Sequence, residues 1–312
     1  MKLMLFSDMH LRMTIPAARV DNAVLAQADK FIYAMKFYKE NGIDAILQAG
    51  DMFDSPRSWR ALSFYSKLLQ HFRPNFYCVA GQHDTYMYSE STRDTTSMGI
   101  LDGIGLVKVL TQEPVQLGNA VALYGCSYGQ PVPVPSKVTG VKNILVIHAK
   151  IARSLPFELP GIVYASKFLE EHPGYDIVLC GDIHDKFTVK YEKSVICNTG
   201  PLLRDAATRD MFDHHPGFFI YDTKTGKMRW ETIPHAEADR VLTREHIQQV
   251  EHREEVLDSF IEQLNLYPER ASENDDLFSY KDNLLLFIKE NYIEPAVVDL
   301  ISETMGDQDD NR

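Results

Sequence analysis

Cysteine is scarce in this chain of 312 residues: there are four, Cys78, Cys126, Cys180 and Cys197, and no Cys-x-x-Cys spacing. That pattern excludes a disulfide framework and a thiolate zinc ribbon. Each cysteine sits in apolar, strand-like surroundings, so buried thiols in a reducing compartment are expected. Long apolar runs are missing too. No stretch approaches the roughly 20 residues of a membrane span, and the apolar opening Met1–Phe6, interrupted at once by Asp8 and His10, is too short for a secretory signal. A cytoplasmic protein without membrane association is expected. Nor is there a surplus of positive charge, for the formal net charge is −12. That acidity is uneven: residues 1–235 carry 25 Lys+Arg against 24 Asp+Glu, whereas residues 236–312 carry 7 against 20. The first part is near neutral and compatible with a polyanionic substrate; the tail is not.

Hydrophobic residues at 45% and charged residues at 24% are ordinary for a globular protein with a sizeable core. Lys2–Ser7 reads as a buried strand, and the spacing of Val24, Ala28, Phe31, Ala34 and Met35 predicts a helix over about 19–41, stopped by Gly42. A strand over 43–48, a helix over 59–72 and a strand over 76–79 come next, with further strands over 121–124, 143–147 and 176–180. Alternation of strand and helix implies right-handed crossovers and a largely parallel sheet with ligands at the carboxyl edge. From Thr188 to about Pro234 the pattern changes to four short strands, 188–191, 195–197, 218–221 and 229–233, for which antiparallel pairing is expected. The predicted fold is α/β, two sheets packed together with outer helices, followed by a short C-terminal helical appendage. In that acidic region, 236–312, the stretches Val241–Leu266 and Leu284–Ile301 are candidates for partner contact or self-association.

Five short segments place metal-binding side chains where apolar runs end: Asp8-x-His10, Gly50-Asp51-x-x-Asp54, Gly81-Gln82-His83-Asp84, His148 and Gly181-Asp182-x-His184. A phosphodiester repels hydroxide, and its attacked form carries still more charge. A catalyst must therefore neutralise oxygen charge while supplying hydroxide near neutral pH, and two divalent ions about 4 Å apart do both. Such a pair needs a bridging carboxylate, further carboxylate or imidazole ligands, and open positions.

The ordered set resembles that of the calcineurin-like metallophosphoesterases. Over roughly residues 1–235 it is most similar to the SbcD-type nuclease subunits, on the run Asp51-Met52-Phe53-Asp54 with Arg57 and Arg60 after it, and on Asn198-Thr199-Gly200-Pro201-Leu202-Leu203-Arg204. The resemblance implies a metallophosphoesterase sandwich in which Asp8, His10 and His184 hold one metal, Asp51 bridges, and Gln82, His148 and Asp182 complete the second. It makes His83 the non-ligating acid that protonates the leaving oxygen, with Asp84 orienting its imidazole. Arg57, Arg60 and Arg204 are candidates for phosphate contact; Asp54 is assigned to loop hydrogen bonding, and His214 and His215 to a solvated turn rather than to the border of the cleft.

Two positions depart from the family pattern: Gln82 stands for the usual asparagine and Asp182 for the usual histidine. Gln82 keeps an amide oxygen, displaced by its extra methylene, and Asp182 replaces an imidazole nitrogen with an oxygen donor, so the second site is richer in oxygen, which favours Mn²⁺ or Mg²⁺ over softer ions. The implied function is a Mn²⁺-dependent DNA nuclease, with exonuclease and single-strand endonuclease activity, working with an SbcC-type ATPase in DNA repair or recombination. Other readings are a phosphoesterase for a small phosphodiester, nucleotide or phosphoprotein, and a binding protein with a degraded metal site. Only 77 residues follow position 235, too few for a full DNA-capping domain, so a reduced or missing cap is expected, with the two helical stretches as candidates for ATPase contact or homodimer formation.

Overall fold

Leu3, Met4, Leu5 and Phe6 are apolar in succession rather than alternately, the pattern of a strand covered on both faces, and they form the centre of the first sheet as β1 (Lys2–Phe6). The computed structural model describes residues 1–153 and 161–245. After β1 come α1 (Ala23–Glu40), β2 (Ala45–Gln48), α2 (Trp59–Phe72) and β3 (Phe76–Cys78), then α3 (Ser97–Gly103), β4 (Lys108–Val109), β5 (Val115–Leu117), β6 (Val121–Cys126) and β7 (Lys142–His148). A two-residue pair, β8 (Ile151–Ala152) and β9 (Val163–Tyr164), precedes α4 (Ala165–Glu171) and β10 (Ile177–Gly181). The remainder is β11 (Phe187–Tyr191), β12 (Ser194–Asn198), α5 (Arg209–Asp213), β13 (Gly217–Asp222), β14 (Lys227–Thr232) and α6 (Ala238–Val241).

The first sheet has the order β14-β13-β1-β2-β3-β4 and the second β11-β12-β10-β7-β6-β5. In each, the central strands run parallel, joined by helical or looping crossovers, so every motif loop leaves at the same carboxyl edge. The pleat sorts side chains between layers. Leu3 and Leu5 of β1 meet Leu123, Ile144, Val146 and Leu179 between the sheets, while Met4 and Phe6 turn outward to Phe31, Met35 and Tyr65 of α1 and α2. On the far face of the second sheet, Leu145, Ile147 and Val178 are covered by Phe168 and Leu169 of α4. Each fully buried Leu, Ile or Phe here contributes about 1.5–3 kcal/mol.

Helix α1 starts at Asn22, whose side-chain oxygen accepts from the Leu25 N–H at 3.1 Å, and stops before Gly42 at φ +59°. The four short strands after Thr188 do pair antiparallel as two hairpins, β11–β12 and β13–β14. The hairpins join different sheets, however, because β13 docks antiparallel on β1 while β12 lies parallel to β10. Beyond position 235 the chain continues to pack on this body: Ala238, Val241 and Leu242 cluster with Ala18, Ala207 and Met211. Val241 ends α6 and Leu242 is extended, so the helix expected to start there does not begin at Val241; its remainder, and the stretch Leu284–Ile301, lie outside the described residues.

Candidate metal centre

The loops after β1 and β2 are zipped by main-chain bonds. The N–H groups of Met9 and His10 both donate to the Asp51 carbonyl, at 3.1 and 2.9 Å, and Leu11 N–H donates to Met52 at 2.8 Å. The loop after β10 is tied in through Ser7, whose hydroxyl donates to the Cys180 carbonyl at 2.7 Å. Three of the expected ligand residues, His10, Asp51 and Asp182, have φ of +44°, +52° and +91°, left-handed values that non-glycine residues adopt at a cost of about 1–3 kcal/mol each. Such strain persists only where the surroundings over-determine it. Gly50, at φ +86°, shows how close the loops come, for a Cβ there would collide with the His148 imidazole, and one at Gly81 with the Asp51 carboxylate.

The expected ligands meet at this edge. Asp8, His10 and His184 form one group, Asp8, Asp51 and His148 a second, and His10, Asp51 and His83 a third, the ligand atoms of each lying within 4.8 Å of one another. His10 Nε2 and His184 Nε2 are 3.1 Å apart, and Asp51 Oδ2 lies 3.8 Å from His10 Nε2 and 3.4 Å from His148 Nε2. Asp8 and Asp51 each belong to two of these groups, and Asp51 Oδ2 is the carboxylate oxygen that faces both His10 and His148. Gln82 joins at the second position: its Oε1 lies 2.7 Å from His148 Nε2, and its Nε2 donates to Asp182 Oδ1 at 2.6 Å. Both departures from the family pattern therefore deliver oxygen atoms beside His148.

The chemistry of this donor set fits divalent cations. Asp8 Oδ2, Asp51 Oδ2 and Asp182 Oδ2 are buried without any hydrogen-bond partner, an arrangement costing several kcal/mol per charge unless a cation compensates. Burial pushes Asp8 above the usual carboxylate range, against the pull of His148 and His184. Burial, opposed by Asp51 but reinforced by His184, His83 and Arg12, drives His10 down to about 3, so its imidazole is neutral and available as a ligand. His148 behaves oppositely: burial is outweighed by Asp51 and Asp8, which raise it well above its ordinary value. Its Nδ1 donates to the Ala49 carbonyl at 2.6 Å while Nε2 faces Gln82 Oε1, so without an ion both nitrogens carry protons. His148 would offer Nε2 to a cation in place of that second proton, with Ala49 fixing the ring.

Asp84 requires a correction. It was expected to orient His83, but its carboxylate accepts from the N–H groups of Met52 (3.1 Å), Phe53 (3.0 Å) and Gly81 (3.0 Å), and so ties two motif loops together. The His83 ring is held instead by Nδ1 donating to the Asp54 carbonyl at 3.1 Å. Arg204 is corrected as well: it is 3% exposed, and its guanidinium donates to the Ala236 carbonyl, so it anchors the chain after β14 rather than meeting a phosphate. Arg57 is exposed and donates to the Tyr86 hydroxyl at 2.6 Å; Arg60 is exposed on the first turn of α2. Arg12 is committed between Asp54 (2.5 Å) and Asp205 (2.9 Å). His214 is buried rather than solvated, because its Nε2 donates to the Pro201 carbonyl at 2.7 Å beneath Gly200.

One supporting residue escaped the sequence reading. Gln27, fully buried on α1, donates to the carbonyls of Met9 and His10 at 3.1 and 3.0 Å and accepts from Arg12 N–H at 2.9 Å, bracing the first motif loop. The signal was present: position 27 falls between Val24 and Phe31 on the apolar stripe, where a polar residue requires buried partners.

No curated protein matches this chain by sequence. Among solved structures, one superposes with a TM-score of 0.51 at 9% identity, covering 75% of this chain and 99% of the other, a likeness of fold alone. The Thermus thermophilus protein TT1561 is similar at 10% identity and a TM-score of 0.48, over 75% of this chain and 99% of its own. An archaeal phosphodiesterase is similar at 12% identity and a TM-score of 0.42, over 75% and 100%. The calcineurin-like phosphoesterase family matches residues 1–186. That span is more than half the chain and carries all the motif loops converging on Asp51, so the chain belongs to the calcineurin-like phosphoesterases and is a metal-dependent hydrolase.

Proposed function

We propose that this phosphoesterase cleaves phosphodiester bonds in DNA, as a Mn²⁺-dependent nuclease of the SbcD type acting with an SbcC-type ATPase. The observation that carries the reading is the placement of His83. Its side chain is 46% exposed at the lip of a largely buried acidic and imidazole cluster, with Nε2 4.0 Å from Asp51 Oδ2. A sugar oxygen is a poor leaving group and needs a proton, whereas an open lip admits a polymer. The oxygen atoms of Gln82 and Asp182 beside His148 support Mn²⁺ or Mg²⁺ as the working ions.

Asp8, His10 and His184 would hold one ion, Gln82, His148 and Asp182 the other, with Asp51 between them. Bound there, divalent ions supply Lewis acidity toward the phosphoryl oxygens and the attacking water. The chain's own residues do the rest. His148 is fixed by Ala49 and His10 is kept neutral by burial, so neither ring has to reorganise. With Nδ1–H committed to Asp54, the transferable proton of the His83 imidazolium sits on Nε2, from which it passes to the departing oxygen.

The test is a panel of linear duplex, single-stranded DNA, a cyclic nucleotide and a chromogenic diester, assayed with Mn²⁺, Mg²⁺ and chelator, with and without the ATPase. Mn²⁺-stimulated cleavage of DNA, lost in Asp51→Ala, is the expected result. Turnover of the small diesters with no cleavage of either DNA would sink the nuclease reading while leaving the phosphoesterase intact.

A further inference from the structure

Just beyond the catalytic loop lies a row of aromatic rings that phosphate chemistry does not use. The short 3-10 turn Gln82–Asp84 is followed at once by a second, Tyr86–Tyr88, whose tip is bare: Met87 is 94% exposed and Tyr88 68%. Both residues have left-handed backbones, φ +49° and +58°, a conformation that neither side chain favours. The loop is nonetheless fixed. Tyr86 N–H donates to Thr92 Oγ1 at 2.9 Å, Ser89 N–H donates to the Tyr86 carbonyl at 3.0 Å, and Arg57 clamps the Tyr86 hydroxyl from the other side.

The exposed Tyr88 is connected to the metal centre through one intermediate ring. Its centroid is 6.2 Å from that of Tyr128, and Tyr128 is 6.2 Å from the His148 imidazole. Tyr128 is itself anchored to the catalytic loop, since its N–H donates to the Ala80 carbonyl at 2.9 Å while Ser127 Oγ accepts from Ala80 N–H at 3.1 Å. Two steps of 6.2 Å separate Tyr88 from a proposed metal ligand.

We propose that Tyr88, backed by Tyr128, is a stacking platform for an unpaired nucleobase flanking the scissile phosphate, and that it directs this enzyme to single-stranded nucleic acid. The inference rests on the nuclease reading above and specifies its substrate class. An aromatic face accepts any base, because every base has a π-face, but only a base released from its duplex partner reaches it. Arg57, exposed beside Tyr86, lies on the same loop pair and adds cationic character for the adjoining backbone. The solvent-exposed, strained Met87–Tyr88 tip contributes nothing to the core, so a ligand role accounts for its geometry.

The experiment measures binding and cleavage separately on the full chain. In a His83→Ala background with Mn²⁺, which slows turnover, fluorescence anisotropy compares a labelled oligothymidylate with an abasic strand of equal length. Adding Tyr88→Ala is expected to weaken oligothymidylate binding roughly tenfold, Tyr88→Phe to retain it, and the abasic strand to bind all forms alike. An unchanged melting midpoint in Tyr88→Ala, expected from its exposure, excludes misfolding. Equal binding of oligothymidylate with and without Tyr88, equal weakening on the abasic strand, or no binding of oligothymidylate at all would each overturn the platform. Cleavage of the same strand by chains retaining His83 reports on the nuclease reading alone. Base-dependent binding without cleavage keeps the platform and removes the nuclease, and cleavage indifferent to Tyr88 does the reverse.

Discussion

His83 is oriented by the main chain of Asp54, with Nδ1 and the carbonyl oxygen 3.1 Å apart, while the Asp54 carboxylate is itself gripped by Arg12 at 2.5 Å. A carbonyl fixes the tautomer without adding a charge to the ring. The proton on Nε2 is therefore the one exchanged. His83→Ala should lower kcat/KM on DNA by about 10²–10⁴ while leaving the Mn²⁺ stoichiometry unchanged in calorimetry. A nitrophenolate leaving group needs little protonation, so the same variant should lose far less on a nitrophenyl diester. Equal losses on both substrates would remove His83 from the role of acid.

Asp84 gives a prediction of the opposite kind. Its three N–H donors come from Met52, Phe53 and Gly81, so it is a fastener between loops. Asp84→Asn presents an NH₂ to at least one of those donors and should cost about 3 kcal/mol of stability, read by urea denaturation. The ratio of kcat/KM on DNA to that on a nitrophenyl diester should stay that of the wild type. Had the carboxylate oriented the imidazole, that ratio would fall.

The buried oxygens of Asp8, Asp51 and Asp182 that lack partners make metal and stability inseparable. Mn²⁺ at a hundredfold excess over its Kd should stabilise the fold by about 2.7 kcal/mol for each ion bound, raising Tm by roughly 5–10 °C per ion for a domain of this size. Asp51→Asn removes the shared charge and should abolish most of that rise. Differential scanning calorimetry with Mn²⁺ and with chelator decides it; an unaltered rise in Asp51→Asn would show that Asp51 is not the bridging group.

The convergence of the candidate residues was legible in the sequence because each stands at or just past the end of an apolar run, and parallel strands send their C-terminal loops to one edge of the sheet. Asp8, Asp51, His148 and Asp182 all come from such ends. The helices were legible for a related reason, periodicity: α2 is found at Trp59–Phe72, where the spacing placed it. Contacts without a period could not be read. The carboxylate of Asp84 turned to backbone donors rather than to the neighbouring ring, and Arg204 turned inward to Ala236, because unpaired main-chain groups of irregular loops carry no sequence signature. The short strand β5 lies between a Gln-Glu-Pro loop and a Gly-Asn turn, with only three residues to show an alternation.

His214 supplies a pH dependence that belongs to the fold rather than to the metal ligands. It is 6% exposed, and burial, assisted by the charges of Lys186, Arg204 and His184, holds it down to about 4 although its Nε2 donates to Pro201. An unfolded histidine titrates near 6.5. Above that value both states are neutral, and the contribution of burial is fully present. As the pH falls from about 6.5 toward about 4, the unfolded chain takes a proton that the folded chain refuses, so stability is lost across that window. Between about pH 7 and about pH 4.5 the loss is on the order of 2 kcal/mol. His214→Gln keeps a donor for the Pro201 carbonyl but cannot be protonated. In chelator, urea unfolding of His214→Gln at the two pH values should therefore show an acid-induced drop smaller than that of the wild type by about that amount. A drop of the same size in both proteins would mean that His214 takes its proton in the folded state.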